Sequence, residues 1–595
     1  MGAEVSRSRA PGALAADIRR GWDLSISAGL GVVQGTIAGF WAAQCCSQFR
    51  WVGAALLEFG FTAYFSLCLL QVQRKIWGAA PLLGIALLAV PAIAMAKYQY
   101  LTAQATFADL FSLGDLVRHY GFYGWIGAGC GLILIALGSL LFCWNWQRPS
   151  AVGFVLWAPA TAFWLLIAAK LFLPWSYAQA LPSPTPLKPG NVSLPLQVLD
   201  GNWGSFMRSA YVYADRRAIS ARLRSAADPD FGFMGTSLKD AERRNVYFIV
   251  LESFMDPTAI EGSAYNVDPF GGLMREWRDK GALTAMSPVF GNRSADAEFE
   301  ALCGLPVTME GAPVVFPQVH PSELDCLPRK LARLGWLTEA HTITDPHVYN
   351  YGKVYPKLGF TDLYFADSLK TDDIDGSQMP SATATLSDNL RHIGDLAYAE
   401  RPYFNYVFGA FGHFPYPLDT RRRPYVVTSN ASSSDVQAYI NSVYYSALAL
   451  DRYVDAVRAR DPDALIVAFG DHRPVLRDSQ SPIEYPGGPL HRQDVPLLII
   501  DGARGVVPLR GPVPLYHLPG IVTDLLTNGK YCEQNRCQHR EGSAMRPLPE
   551  RLILIDRQSG EMTDCSTRTI DARCETAERQ STQFQSALIT LIGDQ

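Results

Sequence analysis

Four stretches of this 595-residue sequence carry side chains whose types and spacing suit phosphate chemistry at a metal ion. Val246 to Leu251 runs into Glu252-Ser253-Phe254, and Leu465 to Phe469 runs into Gly470-Asp471-His472. Each is a short β-rich run ending in a carboxylate or a carboxylate with an imidazole, the groups that hold a divalent cation. A lone acid after a strand is ordinarily solvated or a cap, but two such endings in one sheet form a pattern. Between them, Gly291-Asn292-Arg293-Ser294-Ala295-Asp296-Ala297-Glu298 is a polar turn entering a helix, which gathers free backbone N–H groups and the Ser294 hydroxyl. Beside a divalent cation such a hydroxyl becomes a nucleophile; alone it is an N-cap. His413 follows the run Tyr403 to Phe408, and His341 follows Trp336 to Ala340.

Strand ends collect ligands where the strands share one sheet, since α/β sheets bind beyond the carboxyl ends of their strands. The runs above, with Val495 to Ile500, alternate with segments of helical period such as Val436 to Arg458. That grammar predicts an α/β domain over 241–595 with helices on both faces of the sheet.

The N-terminal third has another solvent. Leu24 to Cys46, Trp51 to Gln71, Gly78 to Met95, Tyr120 to Phe142 and Ala151 to Leu173 are apolar stretches of about bilayer-spanning length, so 1–175 reads as an α-helical transmembrane domain of five spans. Arg7, Arg9, Arg19 and Arg20 precede the first span, Arg74 and Lys75 follow the second, and Arg148 follows the fourth. By the positive-inside bias these lie in the cytoplasm, and an odd number of spans delivers the rest of the chain to the other side. Residues 176–240, rich in proline early on, read as a juxtamembrane linker. Six cysteines fall outside the spans in three close pairs, Cys303 with Cys326, Cys532 with Cys537 and Cys565 with Cys574. An even count outside the reducing cytoplasm predicts disulfides between neighbours, although spacing alone does not fix connectivity. A net charge of −4 gives no reason to expect a nucleic-acid partner, and nothing in the sequence fixes the oligomeric state.

Taken together these motifs resemble the lipoteichoic acid synthase and periplasmic-glucan phosphoglycerol transferase branch of the sulfatase and alkaline-phosphatase superfamily. Leu251-Glu252-Ser253-Phe254 looks like its first metal motif, Ser294-Ala-Asp-Ala-Glu-Phe like its nucleophile motif, His413-Phe-Pro-Tyr like its substrate-side motif, and Phe469-Gly-Asp-His like its second metal motif. The resemblance implies that Glu252, Ser294, Asp471 and His472 hold one divalent ion, Mn²⁺ first, with Mg²⁺ or Zn²⁺ also suited to the set. It implies that Ser294, where the family usually has Thr, is the catalytic nucleophile and that His413 assists. His341, His413, Tyr349 and Arg473 would then line the substrate side. The family's Trp-Asn-Arg segment is here Tyr349-Asn350-Tyr351, without the arginine, and His347, Lys353 and Arg473 are the candidates to supply that charge.

The implied activity is transfer of a phosphoglycerol-type head group from a phospholipid such as phosphatidylglycerol to an envelope glycan, through a phospho-serine. The implied setting is a bacterial inner membrane with the catalytic domain in the periplasm. Phosphoethanolamine transfer from phosphatidylethanolamine is the alternative within the same chemistry, and a non-catalytic glycan-binding protein is the alternative outside it. A true sulfatase would need a Cys or Ser in a C/S-x-P-x-R motif, which no stretch supplies, because Cys326-Leu-Pro-Arg lacks the spacer.

Overall fold

In the computed structural model, the described residues are 233–592 apart from short gaps, the longest at 308–323 (Phe316 excepted), 484–489 and 566–571, together with scattered residues between 25 and 210. The five expected spans fall almost entirely outside the described residues. Among the described residues no helix is long and apolar enough to cross a membrane. Internal contacts divide the chain into two units, 1–185 with 192–218, and 186–191 with 219–595.

The second unit is built on a nine-stranded sheet of β1 (Val246–Leu251), β2 (Thr284–Met286), β3 (Leu337–Thr342), β4 (Asp362–Tyr364), β5 (Tyr403–Gly409), β6 (Leu465–Gly470), β9 (Asp494–Asp501), β10 (Gly505–Val506) and β11 (Val513–Pro514). Its order is β11-β2-β9-β6-β1-β5-β3-β4, with β10 pairing β9 outside that path. Strands β6, β1, β5, β3 and β4 run parallel, while β9 is antiparallel to β6 and to β2. Strands β7 (Arg477–Asp478) and β8 (Ser481–Pro482) form a small hairpin, and β12 (Ser543–Pro547), β13 (Leu552–Asp556) and β14 (Met562–Asp564) a second, three-stranded sheet. Both β1 and β6 are buried along their whole length, as central parallel strands covered on two faces must be.

The helices, numbered within this unit, are α1 (Gly271–Asp279), α2 (Ser294–Cys303), α3 (Leu327–Arg333), α4 (Tyr351–Leu358), α5 (Ala382–Leu396), α6 (Ser434–Arg460), α7 (Leu518–Leu526), α8 (Lys530–Gln534) and α9 (Ala572–Ile592). Alternation along the strands splits the core. Val246, Phe248, Val250, Phe404, Tyr406, Leu465, Val467 and Phe469 face α2, α3, α4 and α7; Tyr247, Ile249, Leu251, Val407, Ile466 and Ala468 face α1, α5 and α6. The six paired cysteines form three neighbouring disulfides, Cys303–Cys326, Cys532–Cys537 and Cys565–Cys574. The first ties the end of α2 to the start of α3.

Packing of this domain begins earlier than the sequence suggests. Residues Phe233–Gly235, expected within the linker, make a 3-10 turn, and Phe233 is buried in the core. A Cβ on Gly304 would lie 2.4 Å from that of Phe233, so the close approach, together with φ +69, requires glycine at 304.

Candidate active site

Register brings the two strand endings together. Leu251 pairs with Gly409 on β5 and with Gly470 on β6, so Glu252 and Asp471 emerge side by side from adjacent strands. Gly470 is demanded by the approach of the turn after β1, since a Cβ there would lie 2.2 Å from the Phe254 carbonyl oxygen. Ser253 takes φ 51, which turns its N–H onto Asp471 Oδ1 at 2.7 Å. The same Oδ1 accepts the His472 N–H at 2.7 Å, and the Ser253 hydroxyl donates to Glu252 Oε1 at 2.8 Å.

His472 is buried, and its Nδ1 lies 3.1 Å from the Arg473 carbonyl. A carbonyl only accepts, so Nδ1 carries the hydrogen and Nε2 keeps its lone pair. That lone pair lies 3.4 Å from Asp471 Oδ2 and 3.7 Å from Glu252 Oε1. Asp471 Oδ2 is itself buried without a hydrogen-bond partner. Burial first, and then the Asp471 charge, push the Glu252 carboxyl up to about 8. Three acceptors converging where water is excluded form a site short of positive charge. Glu252, Asp471 and His472 have ligand atoms within 4.8 Å of one another, and the donor set of two carboxylates and an outward-tied imidazole fits a divalent cation.

Ser294 stands at the start of α2 with its hydroxyl 3.3 Å from Glu252 Oε2. It is no N-cap: that position belongs to Arg293, at φ 68, whose side chain makes no cap hydrogen bond. The helix is held by its own buried acids. Arg293 pairs with Asp296 at 2.6 Å. Glu298 accepts from the hydroxyls of Tyr351 (2.5 Å), Tyr355 (2.7 Å) and Tyr406, and its carboxyl is pushed up to about 7, chiefly by burial. Glu300 takes both Arg546 guanidinium nitrogens at 2.5 and 2.9 Å. Every residue of α2 is buried, so these three acids can exist there only because each has such partners.

Glu252, Ser294, Asp471 and His472 are thus brought together. His413 lies on the loop after β5, exposed, with Nδ1 2.6 Å from the Phe414 carbonyl, which leaves Nε2 as its basic nitrogen. That loop crosses the first ending: a Cβ on Gly412 would lie 3.1 Å from the Glu252 carbonyl oxygen. Tyr349, at φ 45 just before α4, has its phenol raised above the ordinary range by burial and then by Glu252, Asp296 and Glu298, with Arg293 opposing; its ring therefore sits among the groups around Ser294. Arg473 is buried and donates from Nε to the Asp494 carbonyl, so its side chain is committed beside the site.

His341 is not joined to this set. It lies inside β3 rather than after it, in register with Val407 on the face that packs α5, opposite the face that carries α2. There Nε2 is 3.6 Å from Asp388 Oδ2 and the ring stacks on Tyr364 at 5.8 Å, while burial holds its pKa down to about 4. Beside it, His392 Nε2 meets Glu339 Oε1 at 2.7 Å. This polar cluster went unread because its members lie about 50 residues apart in sequence; the alternating Glu339 and His341 with Asp388 and His392 at i, i+4 were the available signal.

Backbone strain gathers at the same place. Of seven non-glycine residues with positive φ among the described residues, Ser253, Arg293, Tyr349, Asn350 and Tyr416 belong to the segments just described, and Asp240 and Asn528 lie elsewhere. Left-handed conformations cost of order 1 kcal/mol each for such residues and persist where packing over-determines them, typically at functional sites.

A family model described as Sulfatase matches residues 244–505, the span that contains all four motif segments. A curated relative, the putative cyclic beta-1,2-glucan modification protein of Rhizobium meliloti (strain 1021), is 24% identical over 249 residues, which is 41% of this chain and 38% of that protein. This chain therefore aligns with well under half of that relative. Among solved structures, the lipoteichoic acid synthase LtaP from Listeria monocytogenes is similar at TM-score 0.48 and 14% identity, covering 63% of this chain and 98% of that one. The Streptococcus pyogenes phosphoglycerol transferase GacH, solved with sn-glycerol-1-phosphate, is similar at TM-score 0.44 and 14% identity, covering 67% and 94%.

Proposed function

We propose that the chain is a membrane-anchored, metal-dependent transferase that moves a phosphoglycerol-type head group from a phospholipid to an envelope glycan through a phospho-serine at Ser294, with its catalytic domain in the periplasm. One observation carries the reading: the lone pair of His472 Nε2 faces the carboxylates of Glu252 and Asp471, while the Ser294 hydroxyl reaches the same Glu252. Glu252, Asp471, His472 and Ser294 would hold one divalent ion, Mn²⁺ by family resemblance, whose charge lowers the cost of ionising the hydroxyl and of the negative charge gathering on phosphorus.

In the first half-reaction Ser294 Oγ bonds to phosphorus as the bond to the diacylglycerol oxygen breaks. The serine gives up its proton and the departing diacylglycerol takes one up. In the second half-reaction a glycan hydroxyl bonds to phosphorus as the bond to Ser294 Oγ breaks; His413 Nε2 accepts the proton of the attacking hydroxyl, and the released Ser294 Oγ takes up a proton to restore its hydroxyl. The buried anchors of α2 fix Oγ for both displacements, so little reorganisation precedes either. With the Tyr351 hydroxyl committed to Glu298, the segment 349–351 offers no cation to the head group, and this favours phosphoethanolamine as the second reading.

Incubating the full-length protein, Mn²⁺ and a glucan acceptor with phosphatidylglycerol or phosphatidylethanolamine, each labelled in the head group, tests the reading. A phosphoglycerol mass increment on the glycan supports it, a phosphoethanolamine increment selects the second reading, and no increment from either donor rejects both.

A further inference from the structure

The segment that leads to the nucleophile is stitched to the metal side of the sheet. The Ser287 N–H donates to the Gln493 carbonyl at 3.0 Å and its hydroxyl to the Asp471 carbonyl at 2.5 Å; the Gly291 N–H donates to the Arg473 carbonyl at 2.9 Å. Between these ties stands Phe290, partly exposed, with the guanidinium carbon of exposed Arg492 only 3.9 Å from its ring centroid. Arg492 sits in the turn into β9, which His491 Nδ1 fixes on Asp494 Oδ2 at 2.8 Å. The two side chains thus form a layered plate, an aromatic ring beneath a planar fork of N–H donors, and both halves are anchored to the segments that carry Asp471 and Ser294.

We infer that the Phe290–Arg492 plate is the acceptor subsite, holding a sugar ring of the glycan while a hydroxyl of that sugar or its neighbour reaches Ser294. This rests on the transferase reading above and adds where the acceptor binds. The chemistry matches a neutral polyol: guanidinium N–H groups pair with vicinal ring hydroxyls, and the part of the Phe290 ring left exposed beside the guanidinium offers apolar surface to the C–H face of the sugar. Distance matches too, because Phe290 is four residues before Ser294 and their Cα atoms lie no more than about 14 Å apart along the chain. An acyl chain fits poorly, since a lipid contact needs a continuous apolar patch and here the ring is capped by a cation. A ping-pong transferase needs acceptor contacts separate from those to the head group, because the two substrates take turns at the same serine.

The test uses the full-length Mn²⁺-loaded enzyme, a head-group-labelled phospholipid donor and cyclic β-1,2-glucan as the acceptor probe. Hydrolysis of the donor by water reports the head-group site, and transfer to glucan reports the acceptor site. Arg492→Ala should raise the half-saturating glucan concentration about tenfold or more, with donor KM, water hydrolysis and melting temperature little changed; Phe290→Ala, whose ring also packs against the core, should raise it as much with water hydrolysis kept and some loss of melting temperature. Arg492→Lys keeps the charge but loses the planar fork, and should remain weak for glucan. Glucan binding to the Ser294→Ala enzyme should weaken in parallel when Arg492→Ala is added. Unchanged glucan half-saturation in the variants overturns the subsite, as does no use or binding of glucan by the parent enzyme, or an equal fall of both reactions with a lowered melting temperature. Failure of the transferase reading looks different: the parent enzyme would then release no head group even to water.

Discussion

Arg546→Met tests how helix α2 is held. The Arg546 and Glu300 side chains have no exposed surface, and their two hydrogen bonds are 2.5 and 2.9 Å long. Glu300 Oε1 also accepts the Val307 N–H at 2.8 Å, so without the guanidinium a fully buried carboxyl keeps a single donor. Breaking one side of a buried ion pair costs about 3–5 kcal/mol. At about 2.1 cal/mol/K per residue, an α/β domain of roughly 350 residues unfolds with an entropy near 0.7 kcal/mol/K, so a loss of about 4 kcal/mol lowers its transition by about 5–6 °C. Glu300→Leu strands Arg546 and should cost as much. The double variant Arg546→Met/Glu300→Leu removes both charges and should lose clearly less than the sum of the singles, because apolar groups of similar volume replace buried pairs at little cost. Calorimetry of the full chain, following the transition of the α/β domain, measures all four species. Singles that each lose under about 1 kcal/mol, or a double equal to their sum, would refute the reasoning.

Glu252→Ala and Asp471→Ala should each abolish bound metal and transfer while the melting profile of the metal-free protein persists; elemental analysis showing full metal in either would displace the ion from this site. Burial and Asp471 raise the Glu252 carboxyl to about 8, so the metal-free fold keeps this proton and an ion must displace it. Apparent affinity should rise about tenfold per pH unit up to about pH 8 and then level. By the same sign the metal-free protein holds this group's stability contribution in full below the ordinary carboxylate range and loses it as pH rises through about 8, which thermal melts across pH with chelator would detect. Cys303 and Cys326 are 23 residues apart, and replacing both with Ser should cost about 3 kcal/mol by loop entropy, measurable by denaturant titration. In the unreduced protein, thiol labelling of peptides bearing the six disulfide-bonded cysteines should be near zero.

The central strands were legible because fully buried parallel strands are continuous apolar runs: the runs at 246–251, 403–408, 465–469 and 495–500 correspond to β1, β5, β6 and β9 within a residue or two at either end. The helix read from Val436 to Arg458 is α6, Ser434–Arg460. Three-residue strands such as Thr284–Met286 and Asp362–Tyr364 escaped because they are too short to show a period and owe their pairing to neighbours distant in sequence. The antiparallel course of β9 was likewise invisible, since direction in a sheet is set by the connection and not by the composition of the strand. At the site, side-chain types after each strand gave Glu252, Ser294, Asp471 and His472, whereas conformation did not show: nothing in the sequence reveals that Ser253 and Arg293 adopt positive φ. Asp296 and Glu300 share one face of the helix at i and i+4 while Glu298 lies on the opposite one, a spacing which signals that some of these acids are buried and need partners such as Tyr351, Tyr355 and Arg546. His341 was misplaced by one element: an alternating strand can turn a histidine to either face, and only register with Val407 shows that it faces Asp388.

Trapping the covalent enzyme tests the central claim most directly. Full-length protein with Mn²⁺ and a phospholipid labelled in its head group, quenched in acid without glycan acceptor, is digested and its peptides are read by mass spectrometry. The account predicts the head-group phosphate on the peptide that contains Ser294, discharged when acceptor is added before the quench, absent in Ser294→Ala and retained in Ser294→Thr, whose hydroxyl can take the same place. An unlabelled Ser294 peptide in an enzyme that transfers, or near parental turnover by Ser294→Ala, would contradict it.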